Sequence, residues 1–207
     1  MDKSTVAVFG LGYIGLPLAV AFAKVGYKVI GVDIDEGKIS RLKETYTAEI
    51  FEPGLNETLQ LCRDKITFTT SADFAIENSY ALVITVGTPL MDPKTPNLEF
   101  IKSITSTIGK KLKRGQLVIL KSTVLIGTTE NLVKTWLEEI SKLKAGKDFF
   151  LSFCPERTIE GLALHELYTL PKIVGGINPQ STDAAAEILQ KLGGPVVKVS
   201  SPKVAEL

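Results

Sequence analysis

The segment Gly10-Leu11-Gly12-Tyr13-Ile14-Gly15 constrains the fold of this chain more than any other. It follows an apolar, β-branched run, Thr5 to Phe9, and opens a long apolar helical stretch, Leu16 to Val25. The next apolar run, Tyr27 to Val32, ends in a carboxylate, Asp33. A lone GxGxxG carries little information. Strand, glycines, helix, strand and acid within roughly 30 residues form the fingerprint of a dinucleotide-binding βαβ unit. Gly10 makes the tight turn out of the strand, Gly12 lets the backbone approach a pyrophosphate, and Gly15 lets the helix pack close to the sheet. The helix N-terminus offers N–H groups and partial positive charge to the phosphates. Asp33 is placed to accept hydrogen bonds from the adenosine ribose, and its charge disfavours a 2′-phosphate, which selects NAD over NADP. Lys38 weakens that preference slightly. The competing reading is an ordinary βαβ turn with glycines present for packing alone; the acid in register argues against it.

The same alternation continues through the chain. The pattern predicts strands at Thr5–Phe9, Lys28–Val32, Ile66–Thr69, Ala81–Val86, Leu117–Lys121, Phe149–Phe153, Lys172–Val174 and Val196–Val199. Helices are expected near Leu16–Val25, Asp35–Glu44, Leu55–Arg63, Leu98–Lys110, Thr128–Lys142 and Pro179–Lys191, with a further helix after Gly161. This order predicts a doubly wound, mostly parallel α/β sheet of Rossmann type, with helices on both faces. The runs Lys28–Val32, Ala81–Val86 and Leu117–Lys121 are nearly continuous in apolar residues and read as central strands. Asn178-Pro179 signals a helix start and Gly193-Gly194-Pro195 a stop and turn. Ser201-Pro202 signals another helix start with few residues after it, as expected of a fragment of a longer protein.

Composition narrows the class. Of 207 residues, 44% are hydrophobic and 23% charged, as in globular proteins, and the net charge of +1 supplies no field to attract nucleic acid or an acidic membrane. No apolar run reaches the roughly 18 residues of a membrane span. The start of the chain lacks a basic segment followed by an apolar core, so no signal peptide and a cytoplasmic location are expected. Cys62 and Cys154 lack Cys-x-x-Cys spacing and His165 is the sole histidine, which points to a reducing compartment and no metal site. Cys62 and His165 read as packing or surface residues.

In open α/β sheets, ligands bind beyond the carboxyl ends of the strands. Besides the glycine loop, three such ends carry polar chemistry. Thr85-Val86-Gly87-Thr88-Pro89 combines a close-approach glycine with a hydroxyl near the nicotinamide half. Lys121-Ser122-Thr123-Val124 ends an apolar strand in polar residues. Cys154-Pro155-Glu156-Arg157-Thr158-Ile159-Glu160-Gly161 puts one carboxylate directly after a buried strand and another four residues on, a pattern suited to general acid/base work. Read singly, the last two are equally compatible with helix caps and turns.

Taken together, these motifs resemble the N-terminal domain of the UDP-glucose/GDP-mannose dehydrogenase family. The resemblance runs nearly end to end. It is carried by Gly10-Leu11-Gly12-Tyr13-Ile14-Gly15-Leu16-Pro17, Asp33-Ile34-Asp35 with Lys38, and Phe51-Glu52-Pro53-Gly54-Leu55. It continues through Val86-Gly87-Thr88-Pro89, Lys121-Ser122-Thr123-Val124 with Gly127-Thr128, and Pro155-Glu156-Arg157 with Glu160-Gly161. The family oxidises the C6 alcohol of a nucleotide sugar to a carboxylate with two NAD. The resemblance implies that Asp33 and Lys38 hold the adenosine ribose and that Val86, Gly87 and Thr88 line the nicotinamide side. It implies that Ser122 touches the cofactor, Thr123 positions a water, and Glu156 is the active-site glutamate. Glu160 would sit between cofactor and substrate, and Glu156, Arg157, Thr158, Ile159 and Glu160 would bind the sugar. A half-buried glutamate beside a substrate can serve as both acid and base if desolvation raises its pKa.

UDP-glucose members typically carry Asn-Pro-Glu-Phe where this chain has Cys154-Pro155-Glu156-Arg157. That looks more like the branch acting on UDP-N-acetylhexosamines, notably UDP-N-acetylmannosamine, with UDP-glucose as the alternative; Arg157 offers planar hydrogen bonding that phenylalanine lacks. The resemblance also implies a C-terminal UDP-sugar domain with the nucleophilic cysteine, and a central helix that forms a homodimer. Both are expected to be absent here, leaving an NAD-binding fragment inactive alone. Cys154 reads as a small buried residue rather than a substitute nucleophile. More distant readings are a β-hydroxyacid-type NAD dehydrogenase, in which Glu-Pro-Gly-Leu and Pro-Glu-Arg have no place, and a non-catalytic NAD-binding module, which has no need of Glu156.

Overall fold

The computed structural model describes residues 3–91 and 95–207. The first unit is β1 (Thr5–Phe9), α1 (Gly15–Lys24) and β2 (Lys28–Val32), followed by α2 (Glu36–Thr45), α3 (Leu55–Leu61) and β3 (Ile66–Thr69). Helix α4 (Ala72–Asn78) then leads to β4 (Ala81–Ile84), and a short hairpin, β5 (Leu90–Met91) and β6 (Thr95–Pro96), precedes α5 (Glu99–Lys111). The second half holds β7 (Leu117–Leu120), α6 (Lys134–Ser141), β8 (Phe150–Phe153), α7 (Ala163–Thr169), β9 (Lys172–Gly176), α8 (Pro179–Gln190), β10 (Val196–Lys198) and α9 (Pro202–Glu206).

Eight strands form one sheet in the order β10-β9-β8-β7-β4-β1-β2-β3. The chain winds from β1 outward to β3, then crosses back to β4 on the other side of β1. The order reverses between β1 and β4, and in such sheets ligands bind at the carboxyl ends of the strands beside that switch point. All pairings in this sheet are parallel except β8 with β9, where Phe153 faces Gly175 and Ser152 faces Gly176. The reversal means that β9 starts beyond the carboxyl end of β8, so Lys172 lies beside the loop that leaves β8.

Alternation along β1 splits the core into two layers. Val6 and Val8 pack with Leu18, Phe22, Leu59 and Leu189 on one face. Ala7 and Phe9 pack with Ile76, Ile101, Ile108 and Leu137 on the other. Helix α1 is apolar all round and buried from Gly15 to Ala23, as befits a helix between the sheet and neighbours α3 and α7. The expected helix starts at Pro179 and Pro202 are present, with Asn178 accepting from the Ser181 N–H and Ser201 from the Val204 N–H.

Three expectations are corrected. Thr128–Lys142 is not one regular helix: Thr128–Val133 is a π-helical stretch that passes into α6, and Glu206 caps its start by accepting from the Gly127 and Thr129 N–H groups. The strands expected to reach Val86 and Lys121 stop at Ile84 and Leu120, which leaves Thr85, Val86 and Lys121 in the loops. Helix α4 has no counterpart in the pattern, because its seven residues bury only Ala75 and Ile76. Among the described residues no helix is long and apolar enough to cross a membrane.

Candidate active site

The glycine loop takes the geometry its sequence demands. Gly10 has a φ of 95°, which favours glycine, and its N–H donates to the Val32 carbonyl at 2.8 Å. A Cβ on Gly15 would sit 1.7 Å from the Gly10 carbonyl oxygen and 2.6 Å from Thr85 Oγ1, so no larger residue fits. Gly12 is exposed, with open space where a side chain would begin. Leu11 is buried; Tyr13 is exposed and Ile14 partly so. Helix α1 has no side-chain cap and no acid in its first turn, so its positive end is left for an anion. Thr85 Oγ1, which the sequence reading gave no role, lies 2.9 Å from both the Phe9 and Gly10 carbonyl oxygens and ties the loop to the end of β4.

Asp33 and Lys38 come together. Asp33 Oδ2 accepts from the Leu11 N–H and from Lys38 Nζ, each at 2.8 Å, and Oδ1 accepts from the Asp35 N–H at 3.1 Å. Burial alone would push its pKa up; the Lys38 ammonium and the two backbone donors outweigh that and hold it below the usual carboxylate range. The acid that would meet a ribose thus also anchors the glycine loop through Leu11.

The loops after β4 and β7 are laced together. Ser122 Oγ donates to the Val86 carbonyl at 2.7 Å, and Thr88 Oγ1 donates to the Thr123 carbonyl at 2.8 Å. Ser122 is buried and its proton is committed, so it could meet a cofactor only as an acceptor. Gly87 and Thr123 are exposed at the rim.

The loop after β8 is held by carboxylates. Glu156 Oε1 accepts from the N–H groups of Arg157 and Thr158, at 2.8 and 3.1 Å. Glu166 of α7 accepts from the Ile159 N–H at 2.7 Å. Glu52, from the Glu-Pro-Gly-Leu segment, reaches across more than a hundred residues to accept from the N–H groups of Gly161 and Leu164 at 3.0 and 2.9 Å. Arg157 donates to the Pro171 carbonyl at 3.4 Å, while Ile159 and Glu160 are exposed. Thr158 is partly buried under the loop.

Behind the loop, Glu156 Oε2 lies 3.4 Å from the ammonium of Lys121, whose side chain is 3% exposed. The condition that desolvation raise the Glu156 pKa is not met. Burial does push it up, but Lys121 and the Arg157 and Thr158 N–H donors outweigh burial and hold the carboxyl below its ordinary range. Cys154 is fully buried, and burial pushes its thiol up, away from nucleophilic use. Cys62 is buried in the core and His165 is exposed on α7.

Lys121, Lys172 and Glu52 were not singled out as functional from the sequence. A signal existed for Lys121: a charge ending a doubly buried strand must find a partner. Nothing local announced Glu52, whose targets lie far along the chain.

The switch point of a mostly parallel sheet, an uncapped helix end beside it and an acid at the end of β2 define a dinucleotide-binding domain of the Rossmann-type dehydrogenases. Residues 4–193 match the model of the UDP-glucose/GDP-mannose dehydrogenase family NAD binding domain, and the chain belongs to that family. It is 34% identical to the UDP-N-acetyl-D-glucosamine 6-dehydrogenase of Pseudomonas aeruginosa, over 100% of this chain and 48% of that protein. It is 33% identical to the UDP-N-acetyl-D-mannosamine dehydrogenase of Pyrococcus horikoshii, over 98% of this chain and 48% of the relative. A solved Pyrococcus horikoshii structure of that activity superposes with a TM-score of 0.91 at 31% identity, covering 97% of this chain and 48% of its own. The UDP-glucose 6-dehydrogenase of Bacillus subtilis is 33% identical, over 94% of this chain and 42% of that enzyme. The chain thus spans about half the length of the curated relatives it matches. Family membership sets aside the β-hydroxyacid alternative.

Proposed function

We propose that this chain is the cofactor-binding half of a nucleotide-sugar 6-dehydrogenase that oxidises the C6 alcohol of UDP-N-acetylmannosamine to a uronate, with two NAD consumed per sugar. The observation that carries the reading is Glu156, an ionised and nearly buried carboxylate at the carboxyl end of β8, on the same sheet edge as the glycine loop. A site that only bound a dinucleotide would have no use for it. NAD, held by the α1 N-terminus and Asp33, supplies the hydride acceptor. The rest falls to the protein. Removal of a hydride from an alcohol needs a base for the hydroxyl proton, and Glu156 is ionised to take it. The Thr123 hydroxyl, at the rim of the β7 loop, orients the water that the second oxidation consumes. Glu160 and the exposed Ile159 face the sugar, and Arg157 presents a planar donor set beside it.

Relatives named for UDP-N-acetylglucosamine, UDP-N-acetylmannosamine and UDP-glucose stand at nearly equal identity, so overall similarity does not choose among them. Arg157 in place of the phenylalanine of UDP-glucose enzymes favours the N-acetyl sugars. Because the two cysteines are buried, the thiol for the second oxidation would come from a C-terminal half, as would the homodimer helix. The 207-residue chain alone should bind NAD and release no uronate.

The test is NADH release by the protein joined to its C-terminal half. Two NADH per UDP-N-acetylmannosamine, with a loss of about 10²–10⁴-fold in kcat for Glu156→Gln, is the expected result. A clear preference for UDP-glucose would reject the substrate, and a yield of one NADH per sugar would reject the four-electron reaction.

A further inference from the structure

We propose that Lys121 is the positioning residue for Glu156: its buried ammonium fixes the orientation of the carboxylate and keeps it an anion, ready to accept a proton. The inference rests on the acid/base role proposed above for Glu156. Lys121 does not touch the sugar in this account; it acts through the glutamate.

The geometry points to this pairing on three grounds. First, the Lys121 ammonium has nowhere else to go. It sits 3.4 Å from Glu156 Oε2, 3.4 Å from the Cys154 carbonyl, 3.5 Å from the Pro155 carbonyl and 3.6 Å from Cys154 Sγ. All four acceptors belong to the three residues that leave β8, so one cation from the end of β7 gathers the turn that presents Glu156. Second, the two oxygens of Glu156 are used differently. Oε1 is spent on two backbone N–H groups, whereas Oε2 is buried and makes no hydrogen bond, facing the cation at ion-pair distance only. Its lone pairs stay available while its charge stays compensated. Third, the pair borders a cavity of about 20 Å³, room for one water, whose other walls include Leu18, Leu167 and Leu189, so the ammonium and the carboxylate face each other with little solvent to screen them.

The other charged groups around Glu156 are already committed. Lys172, entering from the antiparallel β9, donates to the Gly193 carbonyl at 2.5 Å and the Leu170 carbonyl at 3.3 Å. Glu166 of α7 holds the Ile159 N–H, and Arg157 turns to the Pro171 carbonyl. The Cys154 thiol is kept neutral by burial. Lys121 is therefore the cation, among the described residues, at ion-pair distance from the carboxylate. Without it, burial would push the carboxyl up and weaken its hold on the anionic form.

The test is a ¹³C NMR titration of the glutamate side-chain carboxyls in the 207-residue chain, with Glu156 assigned by loss of its signal in Glu156→Gln. In the unaltered protein Glu156 should titrate below the ordinary glutamate value of about 4.3. In Lys121→Met it should titrate at least one unit above that value. In the protein joined to its C-terminal half, the acid limb of kcat/KM should move upward by the same amount in Lys121→Met, while KM for NAD stays within twofold. If Lys121→Met does not fold, the unaltered protein decides alone: a Glu156 carboxyl titrating at or above about 4.3 overturns the proposal. A low value that persists in folded Lys121→Met overturns it as well. A carboxyl that shifts as expected in a protein that oxidises no UDP-sugar upholds the pairing and overturns the acid/base reading instead.

Discussion

Two lysine–carboxylate pairs sit on the carboxyl edge of the sheet, and they differ in almost every physical respect. At the cofactor end, Lys38 meets Asp33 at 2.8 Å across five residues of chain, with side chains 33% and 10% exposed. At the opposite end, Lys121 meets Glu156 at 3.4 Å across two neighbouring strands, with side chains 3% and 9% exposed. The first pair is local and partly wet, so its lysine would be free to yield to a ribose or share it if Asp33 takes the proposed role. The other is enclosed by β7, β8 and the start of β9, and neither partner can leave without stranding a buried charge. Both lysines depress the pKa of their acid, yet the first arrangement suits a group that must exchange partners on binding and the second a group whose charge must not change with surroundings. Similar ingredients yield a partly exposed pair in one place and an enclosed one in the other, and burial makes the difference.

The sharpest way to break this contrast is Lys121→Met. Removing one partner of a buried pair should cost about 3–5 kcal/mol in urea unfolding at neutral pH. The sign of the pH dependence should also reverse. In the unaltered protein the Glu156 contribution is present above its unfolded pKa and lost as pH falls through its depressed folded value. In Lys121→Met the folded pKa rises above the unfolded one, so stability should return on acidification. The double variant Lys121→Met/Glu156→Met should recover most of the loss.

Glu52→Ala comes next. It leaves the Gly161 and Leu164 N–H groups without an acceptor and should cost about 1–3 kcal/mol, with proteolysis appearing first in the loop after β8. Gln at this position should restore part of the stability. Smallest is Lys38→Ala, whose partly exposed pair should contribute under about 1 kcal/mol and less still at high salt. An equal cost for Lys38→Ala and Lys121→Met would erase the distinction between the two pairs.

The same contrast explains what could be read from the chain. The glycine loop, Asp33 and Lys38 are close in sequence, and their spacing encodes their geometry; the sheet followed from apolar runs that must be buried on both faces. The Glu156 end depends on which strands become neighbours and on the direction of β9. The pattern of residues 154–176 does not encode that reversal, so Lys172 was not foreseen beside the site. Glu156 itself was legible as a carboxylate after a buried strand, but the direction of its pKa shift was not. Desolvation can be judged from a run of apolar residues; the compensating ammonium arrives from a strand more than thirty residues away. Glu52 was visible only as part of a short motif, with its role set by chain returning over a hundred residues later. Helix α4 was missed because two buried residues make no period.

Calorimetric titration of NAD into Asp33→Ala and Glu156→Gln, side by side in the 207-residue chain, tests the division of labour most directly. The account predicts that Asp33→Ala weakens NAD by about 10- to 100-fold, as expected for hydrogen bonds to a charged acceptor, whereas Glu156→Gln leaves the Kd within about twofold. Equal weakening in both variants, or none in Asp33→Ala, would contradict it.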